Sequence, residues 1–204
     1  MLHRGNIASY VRNDRTRGLL MEIATKEQLR GALLRRAVVT VPLILLLGFA
    51  SSRIAPAGAE NRWYAALVRP AATPPDWVFP VAWSLLYILM GLALAMILNA
   101  RGSRLRGLAV ALFVLQLLLN LAWSPLFFGM HQVSSALVLL VGIFVAALAT
   151  TLLFGRIRAA AAWLMVPYLV WLCFAGALNW DIGRLNPNAS TLVPSATSTQ
   201  IDFQ

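Results

Sequence analysis

Residues 107–130 read GLAVALFVLQLLLNLAWSPLFFGM and carry no charged side chain. An α-helix rises about 1.5 Å per residue, so about 20 residues cross a hydrocarbon core about 30 Å thick. In lipid, an isolated segment satisfies its own N–H and C=O groups only as a helix. This run therefore reads as a transmembrane helix. Runs of the same kind lie on either side of it: Trp77–Ala100, Gln132–Gly155 and Ala159–Trp180. A fifth, Ala37–Ser52, is shorter and needs Arg36 and Arg53 to snorkel toward the headgroups. It follows a long polar tail and contains Pro42, which favours a retained helix over a cleaved signal peptide. The expected fold is an all-α membrane protein, a bundle of five transmembrane helices with spans near 37–55, 77–100, 107–129, 132–155 and 159–182.

Composition agrees with a chain surrounded by lipid. The sequence is 60% hydrophobic and 12% charged, where soluble domains are about 45–50% and 25%. The net charge is +10. Because the arginines flank apolar runs, this excess reads as membrane anchoring, and no nucleic-acid partner is expected. With five spans, the basic residues of 1–36 fall on the same side as Arg101, Arg104, Arg106, Arg156 and Arg158. The other side holds Arg53, Arg62, Arg69 and Arg184. The positive-inside rule then places the N-terminus in the cytoplasm, for a plasma-type or bacterial inner membrane.

Residues 1–36 form a basic tail. Thr25-Lys26-Glu27-Gln28 fits a capping box that would start a short helix leading into the first span. The alternative is a solvated tail touching anionic headgroups. Met21 offers a second possible start besides Met1. Residues 37–187 make the membrane domain, and residues 188–204, rich in Ser and Thr, are expected to be disordered. Between the first two spans, residues 53–76 hold Trp63, Tyr64, Pro70, Pro74 and Pro75, and a connection this long is often functional.

Polar groups are costly in hydrocarbon, so those inside the spans are informative. Gln116 and Asn120 are four apart on one helical face, with Trp123 three further on. Trp83 and Tyr87 are four apart, as are Trp171 and Ala175, and then Ala175 and Asn179. One reading has these stripes converge on a cavity for a large, flat, mostly apolar ligand. The other makes them interhelical glue and interfacial aromatic belts, with Trp63, Trp77 and Trp180 the belt candidates. The spans contain no Asp, Glu, Lys or Arg, so an ion-driven pump lacks its usual parts. No metal cluster, obligatory cofactor or nucleophile–base pair is expected. Cys173 reads as a small core residue and His131 as a solvated turn residue. Gly107 with Ala111, and Gly91 with Ala95, are small-residue pairs that would seat a dimer.

The wording of three stretches adds a resemblance. Trp63-Tyr64, Pro70, the run Pro74–Trp83, Leu86-Tyr87 and Met90-Gly91 form the first. Asn120–Gly129 forms the second, and Pro167–Trp171 with Leu178-Asn179 and Leu185-Asn186 the third. Together they resemble the translocator protein family (TspO/MBR, the tryptophan-rich sensory proteins) over residues 38–187. The resemblance implies a five-helix bundle that often forms homodimers. It implies binding of porphyrins such as protoporphyrin IX, of haem-related tetrapyrroles, and in some members of sterol- or benzodiazepine-like ligands. It also implies a role in tetrapyrrole or stress signalling. Carried over, the ligand site takes Tyr64, Trp83, Asn120, Trp123, Trp171, Ala175, Leu178 and Trp180, to which the stripes add Tyr87 and Asn179. The pattern departs at Ala72, where relatives usually carry a tryptophan, which implies a looser loop over the site. Two alternatives stay open: a light-dependent porphyrin-degrading enzyme using Trp83 and Trp180, and a structural membrane subunit without a ligand.

Overall fold

A computed structural model describes residues 7–55, 58–100 and 102–192. Among them the secondary structure is helical, without strands. In chain order the helices are α1 (Ile7–Ile54), α2 (Arg62–Ala66), α3 (Val78–Asn99), α4 (Arg106–Ser124), α5 (Val133–Ile157) and α6 (Ala159–Leu185). Five segments are long and apolar enough to cross a membrane: Arg30–Ile54, Val78–Asn99, Arg106–Gly129, Val133–Ile157 and Ala159–Leu185. Their outer faces carry exposed Leu43, Leu46, Leu118, Val138, Val141, Leu152 and Val170. Apolar surface of this extent suits lipid. The chain is a multi-pass integral membrane protein.

Around the bundle α1 packs on α3, α3 on α6, α6 on α5 and α5 on α4, and α4 returns to touch α3 and α1. Backbones approach closely at Gly91, where an added Cβ would lie 2.7 Å from the Val41 Cα. There the Thr40 hydroxyl donates to the Gly91 carbonyl at 2.8 Å. Gly91 and Ala95 are therefore buried inside the protomer, and this pair, expected as a dimer seat, is used by α1 instead. Gly107 and Ala111 stay on the outer surface.

Three further expectations are corrected. The capping box at Thr25 does not start a helix, because α1 already runs unbroken from Ile7. No proline precedes Pro42 to interrupt it, so the helix continues about 35 Å before Arg30 at about 1.5 Å per residue. Arg36 does not reach for headgroups. Its guanidinium donates to the Leu98 carbonyl and to Asn99 Oδ1, where a cation meets the carbonyl end of α3. Cys173 is exposed, since it lies on the outer side of α6.

Pro125 joins α4 to a five-residue π-turn, Pro125–Gly129. Lacking an N–H, it frees the carbonyl four residues back, on Leu121. The Ser51 hydroxyl of α1 donates to that carbonyl at 2.6 Å. The break in α4 is thus filled by its neighbour, and the turn redirects Phe127 and Phe128 toward the loop.

The tail expected from residue 188 begins in ordered structure. Ala189–Thr191 forms a 3-10 turn with Ala189 buried. Residues 193–204 and 1–6 lie outside the described residues.

Candidate ligand site

At the centre of the bundle, Asn120 of α4 joins two tyrosines from neighbouring helices. Tyr87 Oη donates to Asn120 Oδ1 at 3.2 Å, and Asn120 Nδ2 donates to Tyr168 Oη at 3.2 Å. All three residues are buried. A buried amide without partners costs about 1–3 kcal/mol, so this pairing fixes the Asn120 side chain.

Trp83 covers the node. Its ring lies 5.2 Å from Tyr87, 6.3 Å from Tyr168 and 6.4 Å from Trp171, the last two edge-on. Trp171 in turn meets Phe79 at 6.0 Å and Phe174 at 5.6 Å. Trp83, Trp171 and Ala175 are half-buried, whereas the tyrosines and Asn120 are buried. The result is an accessible aromatic wall over a polar floor. Helical spacing produces it: Phe79, Trp83 and Tyr87 recur every fourth residue on α3, and Tyr168, Trp171 and Ala175 share one face of α6.

A second cluster closes the loop end. Trp123 stacks on Phe127 at 4.9 Å, and Phe127 meets Trp63 edge-on at 5.5 Å. Trp63 also stacks on His131 at 4.5 Å, and its Nε1 donates to the Ala189 carbonyl at 2.7 Å. Tyr64 meets Phe128 edge-on at 5.3 Å. Asn61 caps α2 by accepting from the Tyr64 N–H, and its own amide donates to the Phe128 carbonyl. Asn186 clamps the loop from α6: its Oδ1 accepts from Val68 N–H and its Nδ2 donates to Val68 O, both at 2.9 Å. Arg69 pairs with Asp76 at 3.5 Å and sits over the Tyr64 ring at 5.8 Å. Burial raises the Tyr64 hydroxyl above its ordinary pKa, with Arg69 opposing and Asp76 adding to the shift.

The predicted residues thus separate. Trp83, Tyr87, Asn120 and Trp171 come together in the wall and its floor, with Ala175 packed against the same core. Tyr64 and Trp123 belong to the loop-end cluster. Leu178 is buried. Asn179 is buried too, but its Nδ2 donates to the Val133 carbonyl at 2.9 Å, tying α6 to the start of α5. Trp180 does not join: it is 57% exposed on the outer side of α6. The pair Trp83 and Trp180, named for photochemistry, is therefore split between interior and surface. Trp77 and Trp163 are exposed as a belt requires, and Trp63, expected there, is buried instead. His131 is held against Trp63 and is not a free turn residue. An open cleft of ≈ 480 Å³ on the loop, lined by Arg69, Pro70, Thr73, Pro74, Pro75 and Asp76, contains none of the predicted residues.

Tyr168, Phe79, Phe127 and Phe128 were not singled out from the sequence. Phe79 and Phe127 lie four residues from predicted tryptophans, and Tyr168 three from Trp171, so the same periodicity identifies them.

The sequence that builds these five spans matches a known group. The model of the TspO/MBR family covers residues 39–185. The chain belongs to the TspO/MBR family. Among relatives, the tryptophan-rich protein TspO of Chlorobaculum tepidum is 43% identical over 148 residues, 72% of this chain and 93% of that protein. Protein CrtK of Rhodobacter capsulatus is 40% identical over 130 residues, 63% of this chain and 81% of its own length. The human translocator protein is 40% identical over 131 residues, 63% of this chain and 78% of its own length. The match to the TspO/MBR family spans the 53–76 loop, Trp83, Asn120, Trp123 and Trp171, and stops before Ala189.

Proposed function

We propose that this TspO/MBR protein binds a flat, largely apolar tetrapyrrole, of the protoporphyrin IX type, against the Trp83–Trp171 wall. The observation that carries this reading is the layering. Half-buried indoles offer stacking surface, and directly beneath them lie Asn120 and two tyrosine hydroxyls. A porphyrin has a π-face for the former and polar nitrogens and side chains for the latter. The names of relatives, sensory and translocator proteins among them, support sensing or handling of a ligand, and in this reading the ligand serves tetrapyrrole or stress regulation.

The loop-end cluster is the cover of the site, and lipid is the protein's other partner. A homodimer belongs to the same reading, with the exposed Gly107–Ala111 face left free for it. So does an inner-membrane location with the N-terminus cytoplasmic. Arg36 meets the C-terminal end of α3, which gathers the basic ends of α1, α4 and α6 on one side of the bundle.

Titration of the purified protein with protoporphyrin IX tests this. Tryptophan emission is expected to quench saturably. Quenching that rises linearly, as with free tryptophan in empty micelles, would sink the proposal.

A further inference from the structure

Gln116 is the most anomalous side chain in the bundle. It lies mid-way along α4, is 0% exposed, and is surrounded by the apolar core that includes Phe113 and Leu117. Neither its Nε2 nor its Oε1 has a hydrogen-bond partner among the described residues. The great majority of buried polar atoms in proteins are paired, and an unpaired one calls for an explanation. In lipid the side chain cannot turn to bulk water instead.

A second observation lies one turn along the same face. Asn120 is held by Tyr87 and Tyr168, and the direction of those bonds leaves donors unused. Asn120 Nδ2 donates to Tyr168 Oη, which leaves the Tyr168 O–H without an acceptor among the described residues. Asn120 has a second N–H as well. Polar capacity therefore accumulates between Gln116 and the node, on one helical face.

The chemistry of the missing partner follows from the carboxamide. It presents donors and an acceptor together. A carboxylate would satisfy only the N–H groups, and an ammonium only the oxygen. A water or hydroxyl oxygen both donates and accepts, and so completes Gln116 Oε1 and Nε2 in turn. Tyr168 O–H needs an acceptor, which the same oxygen supplies. We infer that Gln116 and the Tyr87–Asn120–Tyr168 node form a buried binding site for an O–H group, occupied by water or by the hydroxyl of a bound molecule. The node is shared with the proposed ligand site, but the readout at Gln116 needs no tetrapyrrole, so the two readings fail separately. It makes Gln116 a positioning residue for Asn120.

The test is NMR of the full chain, labelled with 15N-glutamine and 15N-asparagine, in detergent micelles. The Gln116 side-chain amide is assigned by its loss in Gln116→Met. It is expected to show a cross-peak to a long-lived water. Cyclohexanol, but not cyclohexane, is expected to displace that water, which separates a water source from a hydroxyl source. A cross-peak to cyclohexanol alone still supports the site and assigns it to a hydroxyl-bearing molecule. A Gln116 amide with no cross-peak to either overturns the inference. Gln116→Met is also expected to shift the Asn120 side-chain amide resonance. An unchanged Asn120 resonance overturns its positioning role.

Discussion

Replacing Gly48 by alanine is expected to damage the site from a helix that contributes no residue to it. Gly48 lies on α1 against the Tyr87 ring. A Cβ there would fall 2.5 Å from Tyr87 Cζ and 2.7 Å from Cδ2, and closer still to Cε2. Nothing lets the ring step aside freely: Trp83 covers it at 5.2 Å and Asn120 holds its hydroxyl. Overpacking of this kind costs about 1–3 kcal/mol, and loss of the Tyr87–Asn120 bond about 0.5–1.5 kcal/mol more. At about 2–4 °C per kcal/mol for a chain of this size, the Tm falls by about 3–18 °C. The assay is thermal unfolding in micelles, followed by tryptophan fluorescence. Gly142→Ala is the control, because nothing lies within 4 Å of a Cβ at that position. It is expected to be neutral or slightly stabilising. Adding Tyr87→Ala to Gly48→Ala removes the clash, so the double variant should lose less than the two single losses combined. Gly48→Ala as stable as the native chain, or fully additive with Tyr87→Ala, would refute the argument.

Two other predictions concern the loop. Asn186→Ala leaves the Val68 N–H and C=O without their partners, a cost of about 1–3 kcal/mol. Hydrogen exchange of the amides around Val68 is expected to quicken, while exchange at the centre of α5 stays unchanged. The Tyr64 hydroxyl has its pKa raised by burial, so the folded loop prefers the neutral phenol. Its contribution is complete at neutral pH and is lost as pH climbs above the ordinary tyrosine value of about 10, where the unfolded chain ionises first. Alkaline pH should therefore lower the Tm of the native chain more than that of Tyr64→Phe.

Much of the fold was legible because lipid leaves the backbone few choices. Uncharged runs long enough to span could only be helices, and their count and order hold. The first helix was harder to read. Residues before Arg30 are polar, and their continuation of α1 depends on the lack of a breaker before Pro42, which no apolar period announces. The site was legible where periodicity and contact coincide, as at Trp83, Tyr87 and Trp171. Trp180, which follows Asn179 directly, stands apart from that cluster and is exposed, as its belt reading expects. Successive residues on a helix are about 100° apart, so with Leu178 and Asn179 both buried, Trp180 falls on the outward side. The partners of Asn179, Asn186 and Trp63 are backbone carbonyls or amides distant in sequence. Side-chain patterns alone do not encode such contacts.

The central claim is that the interior tryptophans form the ligand surface and the exposed ones do not. Protoporphyrin IX affinities of Trp83→Ala and Trp180→Ala, measured side by side by fluorescence titration, test it most directly. Loss of a stacking partner worth about 1.4 kcal/mol is a tenfold change in Kd. Trp83→Ala is expected to bind about tenfold more weakly, with Trp180→Ala within about twofold of the native chain. Native affinity in Trp83→Ala together with weakened binding in Trp180→Ala would contradict the account and place the ligand on the lipid-facing surface.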